Sequence, residues 1–267
     1  MPAPDLPPHA FAVVPARPTR LFLHADHARA ADFEGSTTIV VDAIRASTTM
    51  VTALELGAVS IVPVLTIEDA LAKKAELERG GERGALLGGE RGGVLIPGFD
   101  LDNSPRSYSR DRIGGRTIVF TTANGTAGLL LAERSERIVV GAFVNADAVA
   151  RAVAGARGMV TIVCCGTRGD VGMDDCLAGG AIAERLVGLG RGLVQDDAAR
   201  LCMYAWREAR QSGRGLREIL AETRGGRYLH LQGCEGDLEI CAAVDRCGVV
   251  PVFDARTGRI DVARSAG

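Results

Sequence analysis

A glycine-rich, charged segment, GGERGGVLIPGFDLDNSP at residues 88–105, is the stretch whose residue types most directly suggest chemistry. Its glycines permit positive φ angles and close backbone approach, and Asn-Ser-Pro at its end favours a turn. We therefore predict neither a plain helix nor a plain buried strand here, but an irregular segment that builds a site. Glu90 is a candidate metal ligand and Arg91 a candidate anion clamp. Asn103 and Ser104 could each be a ligand or a turn former, and for Asn103 the turn former is favoured.

A second polar segment, VVDAIRASTT at residues 40–49, follows an apolar strand. Asp42 at the strand end could bind a metal ion or act as a nucleophile. Ser47 and Thr48 offer hydroxyl and backbone N–H groups at a helix start, which is an anion-binding arrangement. Alternatively, Asp42 only caps the turn and the hydroxyl cluster forms an N-cap. Arg45 favours the site, because a guanidinium group suits a phosphate or a sulfonate.

A third segment, FTTANGT at residues 120–126, has the same arrangement of strand, polar turn and helix. Thr122 and Asn124 present donors that could hold an anion. A well-capped turn without any ligand explains this segment equally well when it is taken alone.

The fourth segment is CCGTRGDVGMDDCLAGG, residues 164–180, in which a strand ends and a helix begins. Arg168 lies in the connecting loop as a candidate anion ligand. Asp174 and Asp175 open the helix, and acidic residues are favoured in a first helical turn whatever their function. The functional alternative is that one of them joins Asp42 and Glu90 around a divalent cation.

The four segments together predict a pocket for a phosphorylated anion. Oxygen ligands without histidine suit Mg²⁺, and arginines beside the metal would offset charge in phosphoryl transfer. The predicted metal ligands are Asp42, Glu90, Asp174 and Asp175. The predicted substrate ligands are Arg45, Ser47, Thr48, Arg91, Ser104, Thr122, Asn124 and Arg168. The nucleotide P-loop and the dinucleotide-binding glycine pattern are both missing from the sequence.

Composition limits the class of protein. The chain has 267 residues and a formal net charge of −2, which argues against a nucleic-acid or membrane-surface binder. No apolar run reaches the length of a membrane span, and residues 1–18 lack the pattern of a secretory signal. The seven cysteines are expected to be reduced thiols in a cytoplasmic protein. A homodimer is left open.

The positioning elements are short β-branched runs that alternate with helical runs. We predict strands at 37–42, 59–64, 117–121, 137–141 and 159–164, with further strands near 20–24 and 249–253. Helices are expected at 47–56, 67–79, 124–134, 146–155 and 174–189, and the chain after 190 is largely helical. This alternation predicts an α/β fold of three layers, α/β/α, with a mostly parallel or mixed sheet and a helix-rich C-terminal part.

The domain prediction is a flexible or surface-laid tail at 1–18 and a single α/β domain at 19–267. Two intimately packed halves that meet near 135 are kept as an alternative. The Arg-rich stretch at 207–227 is expected to be a solvated helical face.

In their order along the chain, these segments resemble the 2-phosphosulfolactate phosphatase family, the Mg²⁺-dependent phosphatases of coenzyme M biosynthesis. The matching stretches are VVDAIRASTTMVTALELGA, GGERGGVLIPGFDLDNSP, TIVFTTANGT, CCGTRGDVGMDDCLAGG and HLQGCEGDLEICAAVDRCGVVPVF, and they extend from about residue 37 to 253. A further GGERG at 80–84 lacks the following GFD and NSP. The family usually shows a third Thr at position 123, where this chain has Ala.

The resemblance implies hydrolysis of (2R)-2-phospho-3-sulfolactate to 3-sulfolactate and phosphate. On the matching motifs we assign catalytic roles to Asp42, Arg45 and Asp175. Either water activated by the metal or Asp42 itself attacks phosphorus. A non-catalytic anion-binding protein, or a phosphatase for another small phosphorylated hydroxy acid, is the alternative. A lyase with a Schiff-base lysine is disfavoured, because Lys73 and Lys74 are the only lysines and both fall on a predicted surface helix.

Overall fold

The computed structural model describes residues 17–193 and 197–263. The predicted tail at 1–18 therefore lies outside the described residues, except for its last two positions, and Pro18 already belongs to the first strand. Within the described part of the chain, eleven strands form one mixed sheet. They are β1 (Pro18–Phe22), β2 (Thr37–Val41), β3 (Ser60–Pro63), β4 (Leu86–Arg91), β5 (Val94–Leu95), β6 (Thr117–Thr121), β7 (Arg137–Gly141), β8 (Val160–Cys164), β9 (Gly192–Leu193), β10 (Pro251–Asp254) and β11 (Arg259–Val262).

Ten α-helices accompany the sheet in the same described ranges. They are α1 (Ala46–Glu55), α2 (Ile67–Arg79), α3 (Arg110–Ile113), α4 (Gly125–Leu131), α5 (Ala146–Ala154), α6 (Met173–Gly188), α7 (Asp197–Gln211), α8 (Leu216–Glu222), α9 (Arg224–Leu231) and α10 (Leu238–Cys241). The predicted strands and helices before residue 190 are all present, mostly with ends within two residues of the predicted ones. The C-terminal part is helix-rich as expected, and no helix in the described chain is long and apolar enough to cross a membrane.

Strand β4 corrects the prediction for the start of the glycine-rich segment, because residues 88–91 belong to a strand that is buried as far as Glu90. Apart from the short β5, residues 92–105 are mostly turns and loop, as predicted. The glycines here serve close packing of β4 against β6. A Cβ on Gly89 would lie 1.9 Å from the carbonyl oxygen of Thr121, and Gly89 has φ +132°. Only glycine fits such an approach in that backbone conformation. The glycine is therefore explained by the close contact between two strands and does not indicate an irregular loop.

The strand order is β5-β4-β6-β3-β11-β10-β7-β2-β8-β1-β9. Two parallel groups, β4-β6-β3 and β7-β2-β8-β1-β9, are joined by the antiparallel hairpin β10–β11. The parallel groups do not correspond to residues before and after 135, because β1 and β2 belong with β7, β8 and β9. Whether the chain is one domain or two stays a prediction.

Sheet twist explains how the two groups build one site. Three antiparallel pairings separate β2 from β6, so in a flat sheet their C-terminal ends would lie at opposite edges. The average twist of sheets, about 20–25° per strand-to-strand step, would amount to about 100–125° over the five steps from β2 to β6 and so reduce that opposition. The helices that follow the two strands consequently meet: a Cβ on Gly125 of α4 would lie 2.7 Å from the Cβ of Ala46 of α1.

Helices cover both faces of the sheet, as the three-layer prediction requires. Met50 of α1 and Leu129 of α4 share one core with side chains from both parallel groups, including Val163 of β8 and Phe120 of β6. On the other face, α5, α6 and α7 pack on β2, β7 and β8 around Ile182. Helix α2 packs on β4 and β6 in a smaller cluster. Helices α1 and α4 thus have both of their N-termini directed to one place.

Candidate active site

A pocket of about 130 Å³ lies where the N-termini of α1 and α4 meet. It is the place at which all four sequence segments contribute lining residues. The lining comprises Asp42, Ile44, Arg45, Glu90, Gly92, Gly93, Asn103, Thr122, Ala123, Asn124, Thr167, Arg168, Gly225, Tyr228 and Leu229. Six of the predicted site residues line this pocket: Asp42, Arg45, Glu90, Thr122, Asn124 and Arg168.

The turn between β2 and α1 is held by its own side chains. The Asp42 backbone N–H donates to Ser47 Oγ over 2.9 Å, and Thr48 Oγ1 donates to the Ala43 carbonyl over 2.8 Å. Both hydroxyls are fully buried. Ser47 and Thr48 therefore brace the turn and do not line the pocket, which corrects their prediction as substrate ligands. Their bonds aim the Asp42 carboxylate, whose Oδ1 accepts from the Ala46 N–H over 3.1 Å.

Glu90, the last buried residue of β4, connects two loops. Its Oε2 accepts from the Gly93 N–H over 2.6 Å and its Oε1 from the Ala123 N–H over 2.9 Å. The adjacent Arg91 points elsewhere and donates to the carbonyls of Glu90 and Leu65 and to Thr121 Oγ1. The predicted anion clamp at Arg91 is therefore a brace between the β4–β5 hairpin and its neighbours, because alternate residues of a strand face opposite sides.

Arg45 is nearly buried, and its charge is paired inside the protein. Its Nη1 lies 2.7 Å from Asp237 Oδ2, with the two side chains 3% and 2% exposed. Its Nη2 donates to the Gly93 carbonyl over 2.9 Å. Ser104 Oγ donates to the other Asp237 oxygen over 2.6 Å, so Ser104 supports Asp237 and does not line the pocket. Asp237 was missed from the sequence, although it lies within the matched stretch HLQGCEGDLE.

The two aspartates at the start of α6 have different surroundings. Asp175 accepts from the N–H groups of Ala43 and Gly166 over 2.7 and 2.8 Å, and so joins the β2–α1 and β8–α6 turns. Asp174 packs against Gly225, where a Cβ would lie 2.8 Å from its Oδ2. Its Oδ1 is buried and has no hydrogen-bond partner. Both carboxylates lie behind the pocket wall and do not belong to its lining.

These carboxylates interact with one another. Burial raises the pKa of Asp42 to about 7, and the negative charges of Asp174 and Glu90 act in the same direction. Burial likewise raises the pKa of Asp174 to about 6. The pKa of Asp175 is raised well above its usual range by burial and by the charges of Asp174 and Asp42. Added positive charge in the pocket would therefore stabilise the ionised carboxylates.

Two oxygen atoms of the pocket lining are buried without a hydrogen-bond partner: Asn103 Oδ1 and Thr122 Oγ1. For Asn103 the sequence left a ligand and a turn former open and favoured the turn former, and the residue lines the pocket. The one signal for it in the sequence was its position between the glycine-rich strand and Pro105. Within the described residues, no group of three or more His, Cys, Asp or Glu side chains is arranged to hold a metal ion. Of the four predicted metal ligands, Asp42 and Glu90 line the pocket, and a metal-binding role stays a prediction.

Comparison with known proteins agrees with the resemblance noted in the motifs. The sequence matches the 2-phosphosulpholactate phosphatase family over residues 22–256. Proteins named probable 2-phosphosulfolactate phosphatases are similar to it. The one from Deinococcus radiodurans is 41% identical over 217 residues, covering 80% of this chain and 86% of that protein. The one from Symbiobacterium thermophilum is 37% identical over 224 residues, covering 84% and 94%. The range matched by the family includes all the segments that surround the pocket, and the chain belongs to the 2-phosphosulfolactate phosphatase family.

Proposed function

We propose that this protein hydrolyses the phosphate monoester of (2R)-2-phospho-3-sulfolactate, giving 3-sulfolactate and phosphate, with the help of Mg²⁺. One observation carries the proposal: the carboxylates of Asp42 and Glu90 and the guanidinium groups of Arg45 and Arg168 line one small pocket. Carboxylates can hold a cation there, and guanidinium groups can bind an anionic ester beside it. The names of the related proteins support the choice of substrate.

The donor set of the pocket fits Mg²⁺. This ion takes one or two carboxylates together with other oxygens, including those of a substrate phosphate. Asp42 and Glu90 would supply the carboxylates, and the unpartnered Asn103 Oδ1 offers a further hard oxygen atom. When bound, Mg²⁺ would offset the negative charge of the phosphoryl group in the transition state.

The protein's own residues position the reacting groups. Arg45 is held by Asp237 and by the Gly93 carbonyl, so its guanidinium group is fixed before the substrate arrives. A fixed donor needs no reorganisation when charge develops, which is where most electrostatic catalysis arises. Thr122 and Asn124 lie at the start of α4, where an oxygen atom of the ester can find hydroxyl and amide donors.

The decisive experiment is phosphate release from 2-phosphosulfolactate by the purified chain, with EDTA and after addition of Mg²⁺. We expect release with Mg²⁺ and its loss with EDTA. Binding of the ester without phosphate release would instead indicate a non-catalytic anion-binding protein. Full activity in EDTA would contradict the role of Mg²⁺ while leaving the phosphatase assignment in place.

The identity of the nucleophile can be decided in a single turnover, if the products are examined both for isotope label and for a phosphorylated protein. In a single turnover in ¹⁸O-water, direct attack by water places the label in the released phosphate. Attack by Asp42 would form an aspartyl phosphate, and its hydrolysis would leave label in phosphate only if water attacked phosphorus in the second step. Trapping of a phosphorylated protein by acid quench therefore separates the two routes.

We also propose a cytoplasmic location, because all seven cysteines are free thiols, which suits a reducing compartment. A homodimer stays a prediction.

A further inference from the structure

Arg168 stands at the mouth of the pocket and is held by an aromatic side chain. Its guanidinium group lies 4.8 Å from the centre of the Tyr228 ring, and its Nη2 donates to the Tyr228 hydroxyl over 2.8 Å. The backbone of Arg168 has φ +54°, in the left-handed region. Unlike Arg45, whose charge is paired with Asp237, Arg168 donates this bond to a neutral group. Its positive charge is therefore available to a ligand.

Tyr228 in turn is fixed to the hairpin that carries Glu90. Its hydroxyl donates to the Gly92 carbonyl over 2.6 Å, and Gln232 Nε2 donates to the same oxygen over 2.8 Å. The ring lies so close to the hairpin that a Cβ on Gly93 would be 2.8 Å from Tyr228 Cε1. The phenol thus accepts from Arg168 and donates to Gly92, which uses both of its hydrogen-bonding functions.

The pocket lining consequently carries two kinds of charged group. The carboxylates of Asp42 and Glu90 attract a cation and, through it, a phosphate. The Arg168 guanidinium group, whose hydrogen bond goes to a neutral phenol, attracts an anion and repels a cation. An ester with a second acidic group can use both kinds of group, whereas a simple phosphate ester offers Arg168 no second anion.

We infer that Arg168 binds the sulfonate of the substrate and that Tyr228 is the positioning residue that makes this contact selective. The inference rests on the proposed function. In 2-phosphosulfolactate the sulfonate sulfur is one bond farther from the phosphorylated oxygen than the carboxylate carbon, so the sulfonate can extend farther from the phosphate toward the exposed Arg168. A sulfonate stays ionised at all physiological pH values, and its oxygens match the donors of a guanidinium group.

The test compares 2-phosphosulfolactate with 2-phospholactate, which is the same ester without the sulfonate. Tyr228→Phe keeps the ring but removes the bonds to Arg168 and Gly92. We expect the preference of kcat/KM for the sulfonated ester to fall about tenfold, since a hydrogen bond to a charged group is worth about that factor. The change should appear mainly in KM, and the loss of kcat/KM on 2-phospholactate should be clearly smaller than the loss on the sulfonated ester.

Two further variants make the test specific. Tyr204→Phe is the matched control, because Tyr204 is 59% exposed on α7 and does not line the pocket. This control should leave the kcat/KM for both esters unchanged. Arg168→Gln changes an exposed side chain and should retain the fold even if Tyr228→Phe does not. It should lose the preference for the sulfonated ester at least as strongly. An equal loss of kcat/KM on both esters, or an unchanged preference for the sulfonated ester in both variants, would overturn the inference.

A binding measurement separates this inference from the proposed function. Calorimetric titration with 3-sulfolactate, and with lactate as the sulfonate-free control, reports the contact without turnover. Binding of 3-sulfolactate that weakens about tenfold in Tyr228→Phe supports the sulfonate contact even if the wild-type chain hydrolyses neither ester. In that case the proposed function fails and the inference stands. No binding by the wild-type chain, or binding that Tyr228→Phe leaves unchanged, overturns the inference.

Discussion

The buried ion pair between Arg45 and Asp237 allows the sharpest prediction about this site. The two groups are 2.7 Å apart, they are 3% and 2% exposed, and Asp237 also accepts from Ser104. Asp237→Ala would leave a buried guanidinium group without its carboxylate and a buried hydroxyl without its acceptor. Removal of one partner of a buried pair costs about 3–5 kcal/mol, so we expect a loss of unfolding free energy in that range.

The magnitude is large enough to measure in two ways. In urea titrations the midpoint should fall with little change in slope. In thermal unfolding the same loss corresponds to a decrease in Tm of about 6–20 °C for a chain of this size. Asp237→Asn keeps an oxygen acceptor and removes only the charge, so its loss should be smaller. Glu34→Gln is the control, because the Glu34–Arg134 pair is about 60% exposed on both sides and its removal should have no measurable effect.

A double variant then separates stability from function. Arg45→Met combined with Asp237→Leu replaces the ion pair with apolar side chains, which often restores stability at such positions. We expect this double variant to regain most of the lost unfolding free energy. It should not release phosphate, because the pocket has lost a guanidinium group. If Asp237→Ala unfolded within 1 kcal/mol of the wild type, on the order of a surface pair, the buried pair would not stabilise the fold and the reasoning would be refuted.

Three other changes have clear expected outcomes. Gly89→Ala would place a Cβ 1.9 Å from the Thr121 carbonyl oxygen, so it should destabilise the chain by more than about 3 kcal/mol in urea titrations. Gly98→Ala, with open space around its Cβ, should cost clearly less. Asp42→Asn should reduce kcat at least about 100-fold with an unchanged circular dichroism spectrum, and turnover at the wild-type rate would contradict the site. Arg191→Met would remove all five hydrogen bonds of a side chain that is 2% exposed. It should lower the unfolding free energy by about 2–4 kcal/mol. A Tm equal to that of the wild type would contradict this prediction.

Much of the fold could be predicted because its determinants are local. The β-branched runs before Asp42, Thr122 and Cys165 became β2, β6 and β8, and the amphipathic pattern at 67–79 became α2 with Thr66 as its cap. Strand β4 was mispredicted because glycine has a low strand propensity, and only contact with β6 explains why it is required there. Strand β10 was predicted near 249–253, but β11 and the place of their hairpin in the middle of the sheet were not. That place depends on the pairing of β11 with β3, some 200 residues earlier in the chain.

Fewer of the site residues could be identified in this way. Asp42, Arg45, Glu90, Thr122, Asn124 and Arg168 were predicted and line the pocket. Ser47, Thr48, Arg91 and Ser104 were predicted to bind substrate, but each has partners within the protein. Their residue types suit an anion and suit a backbone carbonyl or a carboxylate equally well. The sequence does not show which acceptor a donor will contact in the folded chain. It therefore could not distinguish residues that bind the substrate from residues that bond within the protein.

The sequence by itself determined where strands end in polar turns and which charged groups those turns carry, because strand period, turn residues and helix caps act over a few positions. Only the tertiary structure decided which of these groups face the same pocket. The antiparallel hairpin and the accumulated twist of the sheet bring the end of β6 to the end of β2, and α9 brings Tyr228 against Arg168. Such contacts join residues that are tens to nearly two hundred positions apart, and their energies depend on burial and geometry that no local pattern contains.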